Sequence, residues 1–266
     1  MNITFYKYQG TGNDFIMIDN RLMTFPKTDT ELVAHLCHRR FGVGADGLIL
    51  IENDSETDFK MVYYNSDGRE STMCGNGGRC AVAFANQLNI IESVGLFNAI
   101  DGEHETTVMK AGEGIFDVRL KMQDVPHILI TDTHCFLDTG SPHYVEQVDD
   151  LQFVNVKELG ASIRNKSEFS PGGTNVNFVE QMSSSEFRIR TYERGVEDET
   201  WSCGTGATAV ALAMYATNKT EERKLQIMVE GGQLEVSFDL DDQNGFKDVF
   251  LKGPATFVFK GEFVSV

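Results

Sequence analysis

The sequence predicts an α+β protein built from two pseudo-symmetric halves, each a curled, mostly antiparallel sheet wrapped barrel-fashion around one central helix. Three observations carry this reading. Landmarks recur at a nearly constant spacing along the chain, strand and turn patterns fill most of each half, and each half holds one helix composed chiefly of small residues.

The spacing is the firmest of the three. Gly12 and Gly140 lie 140 − 12 = 128 residues apart, each before a short polar turn, and the apolar run Leu48-Ile49-Leu50-Ile51 matches Val176-Asn177-Phe178-Val179 at the same distance. Tyr64-Asn65 matches Tyr192-Glu193 likewise. One extra residue in Val196-Glu197-Asp198 then moves the offset to 129, which carries Cys74 onto Cys203 and Gly102 onto Gly231. Such a period is far too long for a solenoid repeat and fits a duplicated domain.

Within the first half, Thr28-Asp29-Thr30-Glu31 is a capping-box pattern, followed by an apolar face through Val33, Leu36 and Cys37. Phe59 to Tyr64 reads as a strand, Asp67-Gly68 as a tight turn, and Gly78 to Leu88 as a helix. The matching helix begins near Thr205 and runs through Met214. Further strands follow both, punctuated by Asp101-Gly102 and Gly112-Glu113-Gly114 in one half and by Gly231-Gly232 and Asn244-Gly245 in the other. The alanines and glycines of the two helices suit burial inside a curled sheet, where little room is left for side chains.

Length and composition agree. A chain of 266 residues allows one or two domains with real cores, and 41% hydrophobic with 24% charged residues is the balance of an ordinary soluble protein. A net charge of −17 argues against a nucleic-acid partner, which requires clustered Lys and Arg. No apolar run reaches membrane-spanning length, and Met1-Asn2-Ile3-Thr4 lacks the basic and apolar regions of a signal peptide, so a cytoplasmic location without membrane contact is expected.

Five cysteines in a chain of this size do not make a disulfide scaffold, and reduced thiols are the expectation. Cys37 falls on an apolar helix face, Cys80 well inside a helix and Cys135 in an extended segment, all three readable as small buried hydrophobes. Cys74 and Cys203 differ from these by position. Each opens a Cys-Gly-x-Gly turn into a helix, Cys74-Gly75-Asn76-Gly77 and Cys203-Gly204-Thr205-Gly206.

The chemistry of such a turn is specific. The first N–H groups of a helix lack partners and carry partial positive charge, so a carboxylate docks there, and glycines let it come close. The same field favours thiolate, a base able to take a proton from the carbon next to that carboxylate. One turn would suit a nucleophile. Two can do more: one sulfur removes an α-proton and the other returns a proton to the opposite face, inverting the stereocentre. Other readings stand beside this one. A phosphate cradle would place Lys and Ser or Thr after its last glycine, which neither turn does; zinc would want paired Cys or His at short spacing. A thiol redox pair without the Cys-x-x-Cys motif remains open.

Gly10-Thr11-Gly12-Asn13-Asp14-Phe15, Asn65-Ser66-Asp67-Gly68, Met73-Cys74-Gly75-Asn76-Gly77-Gly78-Arg79-Cys80, Gly172-Gly173-Thr174-Asn175-Val176, Tyr192-Glu193-Arg194-Gly195 and Ser202-Cys203-Gly204-Thr205-Gly206-Ala207 together resemble the diaminopimelate epimerase family. The likeness spans essentially the whole chain. It implies an isomerase without cofactor or metal that interconverts L,L- and meso-2,6-diaminopimelate on the way to lysine and peptidoglycan, acting as a homodimer. It also implies two halves, residues 1–114 with 255–266 and residues 115–254, the last strand crossing back to the first, with the active site in the cleft between them. Cys74 and Cys203 become the acid/base pair. Gly75, Asn76, Gly204 and Thr205 would hold the α-carboxylate on backbone N–H groups, Asn13 and Glu193 the reacting amino group, and Asn65, Asn175 and Arg194 the distal end of the substrate. Arg194 suits a carboxylate because its guanidinium binds one with two parallel hydrogen bonds.

Read alone, Asn13 and Asn65 are turn residues, Glu193-Arg194 a solvated charge pair, and His143 a side chain beside a proline turn. In register with the cysteines they make a site, with His143 as a neighbour that sets thiol protonation. Two departures from the family pattern matter. Gly140-Ser141-Pro142-His143 has Ser141 where the family often has Asn, shortening one substrate contact, and Gly195 to Thr200 is one residue longer and more acidic than usual. A proline or hydroxyproline racemase is the alternative enzyme, although that family typically has His where this chain has Asn76, and it has no distal charged group to hold. A non-catalytic thiol redox or binding module is the alternative outside enzymes.

Overall fold

The computed structural model describes residues 2–264; Met1, at the head of the N-terminal stretch read above, and residues 265 and 266, at the end of the expected first half, lie outside the described residues. In chain order the elements are β1 (Asn2–Gly10), β2 (Asn13–Asp19), α1 (Thr30–Cys37), β3 (Gly47–Glu52), β4 (Phe59–Asn65), α2 (Gly75–Gln87), β5 (Val94–Ala99), β6 (Gly102–Gly112) and β7 (Ile115–Lys121). There follow β8 (Leu129–Ile130), β9 (Cys135–Asp138), β10 (Pro142–Gln147), α3 (Val156–Arg164), β11 (Asn175–Gln181), β12 (Glu186–Glu193), β13 (Asp198–Thr200), α4 (Gly204–Ala216), β14 (Lys224–Val229), β15 (Gly232–Leu240) and β16 (Phe246–Val264). The chain divides into two compact units, Met1–Leu120 with Gly253–Val266, and Lys121–Lys252.

In the first unit the strands run in the order β1 to β7, and the later part of β16 pairs with β7 on one side and β1 on the other, closing a ring around α2. In the second the order is β8-β9-β10-β11-β12-β14-β15 and then the earlier part of β16, with β13 as an extra partner of β12. A bridge from Val125 to Phe246 ties the segment before β8 to β16.

The duplication is visible residue by residue in the strand registers. Phe15 pairs with Gly47 in the parallel β2–β3 ladder and His143 with Asn175 in the parallel β10–β11 ladder, both members displaced by 128 (143 − 15 and 175 − 47). Each parallel pair needs a crossover, and a helix provides it: α1 between β2 and β3, α2 between β4 and β5, and α3 and α4 at the matching places. One expectation is corrected here. Gly102 opens β6 opposite Ala99, as Gly232 opens β15 opposite Val229, so the counterpart of Gly102 is Gly232 and not Gly231, at 232 − 102 = 130. Both adopt positive φ, 121° and 144°, which glycine tolerates without strain. The helices end in step at 129, with Asn89 and Asn218 both at φ 57°, so the additional residue lies between Asn218 and β14.

Helices α2 and α4 each begin at the residue after their cysteine, earlier than Gly78 and Thr205. Glycine's poor helix propensity hides this start, and enclosure by the sheet overrides it. Every residue of α2 from Gly75 to Ala85 is buried. The expectation of a single helix per half is also too simple, because α1 and α3 cover the other sheet face. Val33, Leu36 and Cys37 of α1 pack with Ile16, Leu48, Leu50 and Tyr64, and Val156 and Ile163 of α3 pack with Tyr144, Val176, Phe178 and Tyr192. Strand β3 is thus covered on both faces, which explains its unbroken apolar run: Leu48 and Leu50 face α1, while Ile49 faces α2. Helix α3 was missed because only Val156, Gly160 and Ile163 are buried, a stripe too narrow to stand out. Among the described residues no helix is long and apolar enough to cross a membrane.

Candidate active site

Each unit presents a cysteine at the N-cap of its enclosed helix. Cys74 caps α2 with extended backbone (φ −112°, ψ 120°) and Cys203 caps α4 in nearly the same conformation (φ −125°, ψ 112°). No charged side chain lies in the first turn of either helix, so the N–H groups of Gly75, Asn76, Gly204 and Thr205 face whatever binds there with the helix field unopposed.

In the first unit the structure brings Cys74, Asn13 and Asn76 together. The Asn13 Oδ1 lies 3.7 Å from the Cys74 Sγ and accepts a hydrogen bond of 3.3 Å from Asn76 Nδ2. The amide is oriented from behind, since Asn13 Nδ2 donates to Asp46 Oδ2 at 2.7 Å. Arg39 donates to both Asp46 and Asp14, and the buried Lys7 pairs with Asp14 at 2.7 Å. Burial pushes the Asp14 carboxyl up, but hydrogen bonds from Arg39 and Lys7 outweigh it and hold it at about 2. Asn65 is exposed at the end of β4 opposite Gly47, with its backbone engaged in the turn to Gly68 and Arg69.

Behind Cys74, Arg79 is fully buried in α2, its guanidinium donating to Thr11 Oγ1 at 3.1 Å and reaching the carbonyls of Gly75 and Pro254 at 3.4 Å. Burial lowers its pKa to about 10, against the opposing pull of Cys80 and Cys74, so it stays cationic at neutral pH.

In the second unit a continuous chain of contacts runs from the sheet to Cys203. Its sulfur accepts from the N–H of Gly206 at 3.4 Å and lies 3.4 Å from Thr205 Oγ1. That hydroxyl is 2.9 Å from His143 Nε2, whose other nitrogen is 3.1 Å from Asn177 Nδ2. His143 is fully buried, and burial, with the charge of Arg194 adding to it, pushes its pKa down to about 3; it is neutral. Beside it, Asn175 Nδ2 donates to Ser141 Oγ at 3.0 Å and to Pro142 O at 3.2 Å, while Asn175 Oδ1 accepts from the Arg194 backbone N–H at 2.9 Å. Arg194 Nη2 reaches Ser141 Oγ at 3.4 Å. The structure therefore gathers Ser141, His143, Asn175, Arg194, Thr205 and Cys203, with Glu193 adjacent and accepting from Thr200 Oγ1.

The remaining thiols are of another kind. Burial raises the pKa of Cys37 to about 12, raises Cys135 and lifts Cys80 further still, so all three stay protonated and inert. Among the described residues no group of three or more His, Cys, Asp or Glu side chains is placed to hold a metal ion. Sequence reasoning missed Asp46, Arg79, Asn177 and Thr191. A comparison of the halves offered a signal for Asn177, a polar residue where the matching strand has Ile49.

The fold class is one shared with solved structures of low sequence identity. It superposes over 100% of both chains on a Bacillus anthracis phenazine biosynthesis protein of the PhzF family (TM-score 0.78, 13% identity). It also matches a probable proline racemase from Agrobacterium radiobacter over 99% of this chain and 93% of that one (TM-score 0.72, 15% identity). The sequence narrows the class. The diaminopimelate epimerase family model matches residues 5–125 and 135–258, and the Flavobacterium psychrophilum diaminopimelate epimerase is 59% identical over 96% of this chain and 98% of its own. The Aquifex aeolicus diaminopimelate epimerase is 41% identical over 97% and 96%. The chain belongs to the diaminopimelate epimerase family.

Proposed function

We propose that this protein epimerises L,L-2,6-diaminopimelate to the meso form by moving protons between two cysteines, supplying lysine and peptidoglycan precursors in the cytoplasm. The observation that carries the reading is the pair of cysteine-capped, enclosed helices, one per unit, in a chain of this family.

The chemistry follows from what each unit offers. Backbone N–H groups of Gly75, Asn76, Gly204 and Thr205 suit the α-carboxylate, and their partial charge stabilises the electron pair that spreads onto that carboxylate when the α-proton leaves. One cysteine, as thiolate, takes the proton and becomes thiol; the other, as thiol, delivers its proton to the opposite face of the carbon and becomes thiolate. Charge and atoms balance with no external acid or base. The reaction requires the two sulfurs to reach opposite faces of one carbon. Asn13 and Glu193 are assigned to the reacting ammonium, each already oriented by a neighbour, Asp46 for the first and Thr200 for the second. Arg194, Asn175 and Asn65 are assigned to the distal amino-acid end, a role supported for the first two by their shared contact with Ser141.

Stereoinversion is tested with Cys74→Ala and Cys203→Ala, assayed by conversion of L,L-diaminopimelate and by deuterium exchange of the α-proton, with proline alongside. Each variant is expected to fold and to lose inversion by several orders of magnitude. Near-normal inversion in either would rule out the two-thiol mechanism, and efficient proline racemisation without turnover of diaminopimelate would overturn the substrate.

A further inference from the structure

The two sulfurs stand on different foundations. At the position of His143 the first unit has Phe15, at that of Asn177 it has Ile49, and at that of Thr191 it has Tyr63, all displaced by 128 residues in matching ladders. Phe15 and Tyr63 meet edge to face with centroids 6.1 Å apart, and Ile49 lies against α2 at Gly77, so two aromatic rings and an aliphatic side chain occupy these positions in the first unit. Beneath α4 the same three positions are polar and buried.

We propose that Asn177 and Thr191 are positioning residues for Cys203: they hold His143 as the Nε2–H tautomer, so that the Thr205 hydroxyl is left to donate its proton to the Cys203 sulfur. This deepens the two-thiol reading above and rests on it for its relevance to turnover.

The direction of each hydrogen bond can be worked out from the far end. Thr191 Oγ1 donates to Asn177 Oδ1 at 3.0 Å, and Asn177 Nδ2 donates to the Tyr144 carbonyl at 2.9 Å, which together fix which end of the amide faces His143. That end is the NH2 group, so the imidazole Nδ1 accepts and, the ring being neutral, Nε2 carries the hydrogen. The Asn175 amide lies 3.5 Å from Nε2 but has already given its two hydrogens to Ser141 and Pro142, so it makes no claim on that nitrogen. Nε2–H therefore donates to Thr205 Oγ1, and the threonine's own hydrogen turns to the sulfur. With the Gly206 N–H, the sulfur then receives two donors, an arrangement that favours thiolate. In the first unit the Cys74 sulfur faces the Asn13 carbonyl oxygen at 3.7 Å, a group that accepts rather than donates. The charged or titratable side chains near this end of α4 are His143 on β10, Glu193 at the end of β12 and Arg194 in the turn after it, none of which is altered in the test.

The test reads the thiols directly, without substrate. In a Cys74→Ala background the rate of Cys203 alkylation by iodoacetamide is followed against pH, with peptide mapping to assign the modified residue. Thr191→Val keeps the side-chain volume and removes the first donor; Asn177→Ile installs the residue that the first unit already packs at this register. Each is expected to move the midpoint up by about one pH unit and slow alkylation near neutrality about ten-fold, while rates converge at high pH where both proteins are thiolate. Cys74, measured in a Cys203→Ala background, is expected to keep its profile. An unchanged Cys203 profile in folded Thr191→Val, confirmed by circular dichroism, would overturn the proposal, as would an equal shift at both cysteines. Because diaminopimelate takes no part, failure of the substrate assignment leaves this result readable.

Discussion

Adding one methyl group to the third residue after each cysteine separates the two half-sites by stability alone. Gly77 and Gly206 occupy the same place in α2 and α4, and in a free helix Gly→Ala would stabilise each by about 1 kcal/mol. The surroundings decide otherwise. A Cβ on Gly77 would come within 3.0 Å of Ile49 Cδ1 and 3.4 Å of Met61 Cε, both the ends of side chains able to yield by a few tenths of an ångström. A Cβ on Gly206 would lie 2.5 Å from Asn177 Oδ1 and 3.3 Å from the Cys203 sulfur. Asn177 cannot step aside cheaply, because its amide serves Tyr144, His143 and Thr191 at once. Displacing it strands a buried polar group, about 1–3 kcal/mol, and overpacks the contact by about 1–3 kcal/mol more. Set against the helix gain, Gly206→Ala should lose about 1–5 kcal/mol and Gly77→Ala should stay within about 1 kcal/mol of the parent. By calorimetry the first corresponds to a fall in Tm of roughly 2–20 °C for a protein of this size, the second to at most a few degrees. Equal stability of the two variants would refute the argument that Asn177 is immovable.

Two further outcomes are expected. Arg194→Lys should lose the two-bond grip on a carboxylate and raise the KM for diaminopimelate by about 1.5–3 kcal/mol, roughly 10- to 150-fold, with a smaller effect on kcat, because the distal end does not react; an unchanged KM in steady-state assays would remove Arg194 from the binding set. His143 supplies the other: its pKa falls from an ordinary 6.5 to about 3 in the folded protein because it is buried, so the unfolded chain binds a proton that the folded one refuses. Its contribution to stability is then full above about pH 6.5 and is lost as pH drops from there toward 3, with a slope of up to about 1.4 kcal/mol per pH unit. Urea unfolding of the parent and of His143→Gln between pH 7.5 and 4.5 should show a shallower acid loss in the variant, and parallel curves would show that His143 is not buried neutral.

What the sequence disclosed and what it withheld have separate physical causes. The repeat was legible because backbone geometry, not chemistry, maintains it: turns at Gly12 and Gly140, the tyrosines at 64 and 192 and the cysteines must fall at fixed places for the two ladders to close around their helices. Cys74 and Cys203 stood out because the glycines after them announce a close approach to backbone. A constant offset of 129 pairs Gly102 with Gly231, and because adjacent glycines look alike in a string only the pairing of Val229 with Gly232 separates them. Arg79 and Thr191 were invisible for a different reason. An arginine in a small-residue helix reads as a solvated charge, and a threonine in a strand reads as a β-former; burial turns the first into a cation behind Cys74 and the second into the end of a hydrogen-bond chain.

A duplicated fold creates a chemical difficulty that this chain answers in its side chains. In the proposed two-thiol reaction, two copies of one cysteine-capped helix in identical surroundings would share one proton evenly, so only unequal surroundings bias which sulfur begins as base. The backbone leaves no freedom to distinguish them, since the ladders agree in register and the caps in dihedral angle. Difference has therefore entered at positions that point from the sheet toward the helix. Phe15, Ile49 and Tyr63 answer to His143, Asn177 and Thr191, and one turn into the helix the buried Arg79 of α2 answers to Thr208 of α4, which only caps the Gly204 carbonyl at 3.0 Å. A full positive charge acts on Cys74 through space, while Cys203 takes directed hydrogen bonds. The two means respond differently to a change nearby: a field falls off gradually with displacement, whereas a relay of hydrogen bonds fails when any single donor turns away. Cys203 is for that reason the sulfur whose protonation state is more exposed to small movements of the sheet beneath it, and a single hydroxyl on β12 is enough to reach it.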